Sequence, residues 1–157
     1  MKGLALGADI RKVLVVCVRD TCRSPVAAAW LRAQLPDFKI TSAGLEAQDG
    51  QGAETLTRET AIALGLPLEK HRARRFTPAM GATQDFILVM EARLRDEIIA
   101  KSPKLAAKTR LFGEWSGGVD IPDPYQQSRE VYKTVQTQIR SAAKAWAEHL
   151  QDPSLFI

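Results

Sequence analysis

The chain has 157 residues, a length that fits one compact domain with its own hydrophobic core. Apolar residues make up 45% and charged residues 25% of the sequence, which excludes a disordered or fibrous protein. The formal net charge of +4 predicts a mildly basic surface, which attracts phosphorylated or acidic partners but also nucleic acid.

The first part of the chain predicts a strand, a loop and a helix in succession. Residues 12–18, KVLVVCV, form a continuous apolar run with β-branched residues, typical of a strand buried on both faces of a parallel sheet. A polar turn follows. Ser24 is expected to cap a helix whose first residue is Pro25, because serine is a preferred N-cap and proline a preferred first helical residue.

The same alternation continues along the chain. It predicts, in order, a strand at 38–43, a helix at 54–64, a strand at 86–90, a helix at 91–101, a strand at 109–112 and a last helix from residue 128. Glycines and prolines crowd residues 117–124 and predict a loop there. We therefore expect an α/β fold, a three-layer doubly wound sandwich with a central four-stranded parallel sheet, in a single domain over 1–157.

No apolar run reaches the roughly 20 residues that a membrane-spanning helix needs, and the opening residues lack the apolar stretch of a signal peptide. We therefore expect a cytoplasmic protein without membrane insertion. The only cysteines, Cys17 and Cys22, lie in one short segment, whereas a disulfide framework would spread them along the chain. Their placement points to chemistry.

The segment Cys17 to Ser24, CVRDTCRS, has a cysteine, five intervening residues, an arginine and a serine. It follows the first strand, where doubly wound sheets place their binding crevice. Five residues are enough to curl the backbone around a tetrahedral anion, so that N–H groups converge on it at a helix N-terminus. The same dipoles favour a thiolate, and Cys17 is therefore the predicted nucleophile. The alternative is a buried structural cysteine.

Two further side chains fit such a site. Arg23 offers a planar fork of donors that binds two phosphoryl oxygens at once. Asp123, between Pro122 and Pro124, is the best candidate for the proton donor to a leaving oxygen, a role worth roughly 10²- to 10⁴-fold in rate. Tyr125 offers an aromatic wall for a flat substrate ring. Without the cysteine loop, an ordinary proline turn would be the better interpretation of this segment.

These residues resemble the low-molecular-weight protein tyrosine phosphatases, through VCVRDTCRSP near the start and DPY near the end. The segments SAG, HRARR and FILVM lie in the family's order, and DIPDPYQQSREVY is similar to the branch linked to bacterial exopolysaccharide export. The resemblance implies a protein-tyrosine-phosphatase that forms a cysteinyl-phosphate intermediate and regulates a tyrosine kinase of exopolysaccharide biosynthesis or export. It implies phosphotyrosine protein substrates, such as a bacterial tyrosine autokinase, and no cofactor or metal. We expect a monomer or weak dimer.

The resemblance also implies roles for individual residues. Cys17 would be the nucleophile, Arg23 the phosphate binder, and Asp123 the general acid that later acts as base toward water. The rest of the phosphate-binding loop would be Val18, Arg19, Asp20, Thr21, Cys22 and Ser24. Ser24, Ser42 and His71 would form a supporting hydrogen-bond network, and Leu45 and Tyr125 would border the substrate slot. Cys22 would form a protective, reversible disulfide with Cys17 under oxidation.

Two residues depart from the family pattern, which usually has Gly-Asn where this chain has Arg19 and Asp20. Asp20 tolerates a left-handed backbone and can pair with His71, but a carboxylate near the phosphate opposes anion binding. Reduced activity is therefore expected. Arg19 either offsets part of that charge or, as is commoner for a lone arginine, is a solvated surface residue.

Other functions are compatible with parts of the sequence. Thr21 lies where tyrosine phosphatases commonly have isoleucine and the related arginine phosphatases have threonine, so a protein-arginine phosphatase is one alternative. A weakly active or noncatalytic phosphate-binding homologue is another, because of Arg19 and Asp20. Arsenate reductases use further cysteines downstream, and none follows Cys22. Only HRARR, at 71–75, suggests nucleic acid, and such clusters are more often solvated helix faces or docking surfaces, so we expect no nucleic-acid partner.

Overall fold

The computed structural model describes residues 11–156, in which strands and helices alternate. The elements are, in chain order, β1 (Lys12–Cys17), α1 (Arg23–Gln34), β2 (Lys39–Gly44), α2 (Thr55–Ile62), α3 (Pro78–Ala82), β3 (Phe86–Val89), α4 (Ala92–Lys101), β4 (Thr109–Leu111) and α5 (Arg129–Gln151). Two 3₁₀ segments, Pro103–Lys108 and Pro153–Phe156, complete this set. The predicted strands and longer helices are confirmed, whereas α3 and the 3₁₀ segments were not predicted.

The four strands form one parallel sheet in the order β2-β1-β3-β4. β1 lies in the interior, and Val13 to Val16 have no exposed surface, as their continuous apolar run predicts. The chain crosses from β1 to β2 on one side and reaches β3 on the other, so the strand order reverses beside β1. The carboxyl end of β1, where Cys17 lies, is therefore the expected position of a binding crevice. The predicted α/β fold class is confirmed.

α5 has the clearest amphipathic pattern in the sequence, and it packs against α1 and α2. Its buried face contains Val135, Ile139, Ala142, Trp146 and Leu150, which recur at steps of three and four residues. Ser128 begins the helix by accepting a hydrogen bond from the backbone N–H of Val131 at 3.3 Å. Within residues 11–156, no helix is both long enough and apolar enough to cross a bilayer.

α1 begins earlier than predicted, at Arg23 instead of Pro25. Its N-cap residue is Cys22, without a capping hydrogen bond from a side chain, so the prediction that Ser24 caps the helix was wrong. Pro25 is accommodated because it lies in the first turn, where a backbone N–H is not needed. The early start places Arg23 and Ser24 on the first helical turn, which ties both side chains to the end of the cysteine loop.

Candidate active site

The cysteine loop, residues 17–24, rests directly on the end of β2. The backbone N–H of Leu45 donates to the Cys17 carbonyl at 3.1 Å, and that of Glu46 donates to the Val18 carbonyl at 2.7 Å. A Cβ atom on Gly44 would lie 2.6 Å from the Val18 carbonyl oxygen. Any larger residue at this position would push the loop away, so the SAG segment is explained by this close approach.

The Cys17 sulfur lies at the inner end of the loop and is almost fully buried. It is 2.9 Å from the Ser24 hydroxyl, and it accepts a hydrogen bond from the backbone N–H of Asp20 at 3.3 Å. The pocket above it is lined by Cys17, Val18, Arg19, Thr21, Cys22, Arg23 and Asp123. Six of the predicted loop residues and Asp123, which lies more than a hundred positions away in sequence, are thus brought together.

Arg23 is buried to 2% exposure, yet it makes several polar contacts. Its guanidinium donates to Glu91 Oε2 at 2.5 Å and to the Ile121 carbonyl at 2.8 Å, and it lies 3.8 Å from Asp123 Oδ2. Burial alone would lower the pKa of Arg23, but the Cys17 sulfur and the carboxylates of Glu91 and Asp123 outweigh it and raise this pKa. The site therefore holds a permanent cation beside the sulfur.

Glu91 is a site residue that the sequence argument missed. Glu91 is the last residue of the segment FILVME, and its carboxylate forms an ion pair with the Arg23 guanidinium. The sequence position of Glu91 could have indicated this role. Glu91 follows β3, and the carboxyl ends of neighbouring parallel strands share one edge of the sheet. Removing Glu91 would leave Arg23 without its closest partner.

Asp20 takes the left-handed backbone conformation that the sequence argument required of it, with φ of 56°. Its carboxyl group has no exposed surface. Oδ1 accepts from the Ser24 hydroxyl at 2.7 Å, and Oδ2 accepts from the backbone N–H of Arg74 at 3.0 Å. Burial raises the pKa of Asp20, although the hydrogen bonds from Ser24, Ser42 and Arg74 and the nearby His71 oppose this shift.

His71 and Arg74 support the loop from behind. His71 Nε2 lies 2.6 Å from the Asp20 carbonyl oxygen and 3.7 Å from Asp20 Oδ1. The Arg74 guanidinium donates to the Ser42 carbonyl at 3.2 Å. The segment 71–75 is therefore not a helix with a solvated basic face, since it forms no helix and turns His71 and Arg74 toward the loop. Ser24, Ser42 and His71, the residues predicted to support the loop, all lie beside Asp20.

The proton of the Ser24 hydroxyl decides how this network acts on Cys17. Ser24 has one proton and two acceptors within reach, Asp20 Oδ1 at 2.7 Å and the Cys17 sulfur at 2.9 Å. When Asp20 is protonated, it can donate to the Ser24 oxygen, and the Ser24 proton is then available to a thiolate at position 17. An ionised Asp20 takes the proton and leaves the thiolate with one hydrogen bond fewer.

We therefore expect Asp20→Asn to raise turnover of p-nitrophenyl phosphate, because an asparagine amide donates permanently to Ser24 while its oxygen accepts from Arg74. The gain should grow toward alkaline pH, where Asp20 is ionised. Equal or slower turnover at every pH would reject the idea.

The stability of the protein should also depend on pH through Asp20, because the pKa of Asp20 is raised in the folded state. The stability that protonated Asp20 contributes is full at acid pH and is lost as pH rises through the folded-state pKa. Melting curves of Asp20→Asn should lack this dependence on pH.

Asp123 lies between the phosphate loop and Tyr125. Its Oδ1 accepts from the backbone N–H of Tyr125 at 3.1 Å, and its Oδ2 lies 3.2 Å from the Arg19 guanidinium. The loop is anchored at Ile121, whose N–H donates to the Met90 carbonyl at 2.8 Å. A carboxyl group is thus held at the mouth of the pocket, where a leaving oxygen would emerge.

Arg19 is not a solvated surface residue, which corrects the commoner of the two expectations. Besides its ion pair with Asp123, its guanidinium carbon lies 4.1 Å from the centroid of the Tyr125 ring. This distance is well within cation–π range. Arg19 is therefore held across the mouth of the pocket by two separate contacts.

Leu45 lies beside Cys17 but lines a neighbouring groove. This groove, of about 200 Å³, is lined by Leu45, Arg75, Phe76, Pro78, Glu97, Ile98, Lys101 and Ser102. Tyr125 is 45% exposed and reaches the loop through its contact with Arg19. The two residues predicted to border the substrate slot thus flank the loop pocket without lining it in this state.

Cys22 is a free, buried thiol, as is Cys17. Burial raises the pKa of Cys22 far above the ordinary range, and Glu54, Cys17 and Asp123 add to the effect. Among residues 11–156, no group of three or more histidine, cysteine or acidic side chains is arranged to hold a metal ion. The chemistry that this site offers is that of a sulfur nucleophile, a buried guanidinium and a carboxyl group.

A parallel α/β sheet with a cysteine and arginine anion loop at the end of its first strand defines a class of phosphate-binding proteins. Within that class, the model of the low molecular weight phosphotyrosine protein phosphatase family matches residues 12–154. The chain belongs to this family, which confirms the family predicted from the sequence.

Relatives span nearly the full length of the chain. Low molecular weight protein-tyrosine-phosphatase Wzb of Escherichia coli K12 is 39% identical over 138 residues, covering 88% of this chain and 94% of Wzb. The crystal structure of the tyrosine phosphatase Wzb from Escherichia coli K30 in complex with sulphate matches with a TM-score of 0.87 at 38% identity, covering 90% of this chain and 99% of that one. The YwlE arginine phosphatase from Geobacillus stearothermophilus matches with a TM-score of 0.86 at 30% identity, covering 92% and 96%.

Proposed function

We propose that this protein is a cysteine-dependent protein-tyrosine-phosphatase that hydrolyses phosphotyrosine through a cysteinyl-phosphate intermediate. The observation that carries the proposal is the meeting of the Cys17 sulfur, the Arg23 guanidinium and the Asp123 carboxyl group around one pocket at the end of β1. The family and the similarity to tyrosine phosphatases named Wzb support the same activity.

In the first step, the Cys17 thiolate attacks phosphorus while the bond to the tyrosine oxygen breaks. Arg23 binds two of the non-bridging oxygens, and backbone N–H groups of the loop bind the remaining charge. Asp123 transfers its proton to the departing phenolate oxygen. In the second step, the Asp123 carboxylate takes a proton from water, which attacks phosphorus and releases phosphate and the Cys17 thiolate.

The substrate proposal rests on the mouth of the site. Tyr125 offers an exposed ring beside the pocket, which suits the ring of a phosphotyrosine residue. The resemblance of DIPDPYQQSREVY to the exopolysaccharide-linked branch supports a tyrosine autokinase of exopolysaccharide biosynthesis or export as the partner. We propose that the protein acts in the cytoplasm, where a reducing environment keeps Cys17 from forming a disulfide. We also propose that residues 1–157 form one domain.

A protein-arginine phosphatase is the second candidate. Two observations favour it: Thr21 at the loop position noted above, and a matching arginine phosphatase at 30% identity. In addition, Asp123 and Tyr125 already hold a guanidinium, that of Arg19. This contact supports the second candidate, because a phosphoarginine substrate would also present a guanidino group to the mouth of the pocket.

The deciding experiment measures phosphate release from two peptides of identical sequence that carry either phosphotyrosine or phosphoarginine, with Cys17→Ser as the blank. We expect the larger kcat/KM for phosphotyrosine. Faster release from phosphoarginine would establish the second candidate. Release from neither peptide, together with saturable binding of inorganic phosphate, would make the protein a noncatalytic phosphate binder.

A further inference from the structure

Arg19 covers the ring of Tyr125, which under the proposed function would contact the substrate ring. In the free protein its guanidinium covers the ring of Tyr125 at 4.1 Å and pairs with Asp123 Oδ2 at 3.2 Å. The pocket behind it has a cavity volume of only about 10 Å³, far below the roughly 300 to 1,000 Å³ of ordinary ligand pockets. An aryl phosphate cannot use both Tyr125 and the pocket until Arg19 has moved.

The reaction itself also requires Arg19 to leave Asp123. As general acid, Asp123 must carry a proton and present it to the leaving oxygen, and a protonated carboxyl group no longer forms an ion pair. Asp123 Oδ1 accepts from the Tyr125 N–H, so the proton for the leaving oxygen must come from Oδ2. In the free protein Oδ2 is the oxygen that pairs with Arg19. A productive complex therefore leaves the Arg19 guanidinium at the rim without its carboxylate partner.

The surroundings favour a carboxylate from the substrate as the replacement. The charged residues that line the groove beyond Leu45 are Arg75, Lys101 and Glu97, and Lys101 lies 3.5 Å from Glu97, so Arg75 is the excess cation of the groove. The chain as a whole carries a net charge of +4. An acidic side chain next to the phosphorylated residue would thus meet a released guanidinium in a mildly positive field.

We propose that Arg19 is a specificity-determining residue: it competes with the substrate ring for Tyr125 and, once displaced, pairs with an acidic residue flanking the phosphotyrosine. Peptides with acidic flanks recover the pairing that Asp123 gives up, whereas peptides with neutral flanks do not. This inference rests on the proposed phosphotyrosine function, and it names acidic phosphotyrosine segments as the substrate class.

The test measures equilibrium binding, so that it does not depend on turnover. Calorimetry on the Cys17→Ser protein compares two phosphotyrosine peptides that differ only in having aspartate or asparagine on both sides of the phosphotyrosine. With Arg19 present, the acidic peptide should bind about 3- to 10-fold more tightly. Adding Arg19→Gln should bring the ratio close to one, and Arg19→Lys should retain part of it.

A second result separates competition from simple attraction. The neutral peptide should bind about 2- to 5-fold more tightly after Arg19→Gln, because no side chain then covers Tyr125. Arg95→Gln is the matched control, since Arg95 is also 37% exposed but pairs with Asp96 on α4.

An unchanged preference for the acidic peptide in Arg19→Gln would overturn the inference, as would weaker binding of the neutral peptide, which would mean that Arg19 holds the phosphate. These outcomes are distinct from a failure of the proposed function. That failure would appear as absent phosphate release in the protein with Cys17 intact.

Discussion

Cys17→Ser should lower turnover of p-nitrophenyl phosphate by at least about 10⁴-fold, to the level of the buffer blank. The structure gives the reason, because the groups in contact with the sulfur are the Ser24 hydroxyl and the Asp20 N–H, and neither is a base. A thiol ionises readily enough to act without one, whereas a serine hydroxyl in the same place does not. Steady-state release of p-nitrophenolate measures the loss.

The matched control is Cys22→Ser, in the same loop and also buried. This variant should keep measurable turnover, since the raised pKa of Cys22 keeps its thiol protonated and unsuited to attack. Cys17→Ser should still bind inorganic phosphate through Arg23 and the loop N–H groups. Retained turnover in Cys17→Ser, with loss in Cys22→Ser, would show that the nucleophile has been wrongly assigned.

Asp123→Asn should lower turnover of phenyl phosphate by roughly 10²- to 10⁴-fold, the usual contribution of a general acid. Asparagine keeps the size of the side chain and still accepts from the Tyr125 N–H, so the loop should keep its shape. The loss should be smaller on p-nitrophenyl phosphate, because p-nitrophenolate is stable enough to leave without a proton. The ratio of the two losses is the quantity to measure.

Asp120→Asn provides the control for Asp123→Asn within the same loop. The Asp120 carboxylate accepts from the backbone N–H of Ala92 at the start of α4 at 2.9 Å, and it is not among the residues that line the pocket. Its replacement should affect both substrates equally. If Asp123→Asn also affects both equally, Asp123 acts through Arg19, Arg23 or the loop conformation instead of through proton transfer.

The main features of the fold follow from local patterns. The strand that ends at Cys17 can be predicted from the sequence because burial on both faces requires a continuous apolar run. The apolar face of α5 can be predicted because burial on one face of a helix requires apolar residues at steps of three and four. The start of α1 was placed two residues late, since the Ser24-Pro25 pair is a common start signal. The prediction was wrong because the Ser24 hydroxyl hydrogen-bonds to Cys17 and Asp20 and does not cap the helix.

By itself, the sequence determined the α/β sheet, the cysteine loop at the end of its first strand and the residues Cys17, Arg23 and Asp123 as candidates. The sheet and the loop depend on spacing within one segment, and Asp123 was a candidate because it lies between two prolines in a chain that also has the cysteine loop. Only the tertiary structure decided that Glu91 holds Arg23, that Asp20 and Cys17 compete for one hydroxyl proton, and that Arg19 covers Tyr125. The Glu91 and Arg19 contacts join side chains from separate segments of the chain, and the Asp20 contact depends on how the cysteine loop curls, so none of the three leaves a periodic pattern in the sequence.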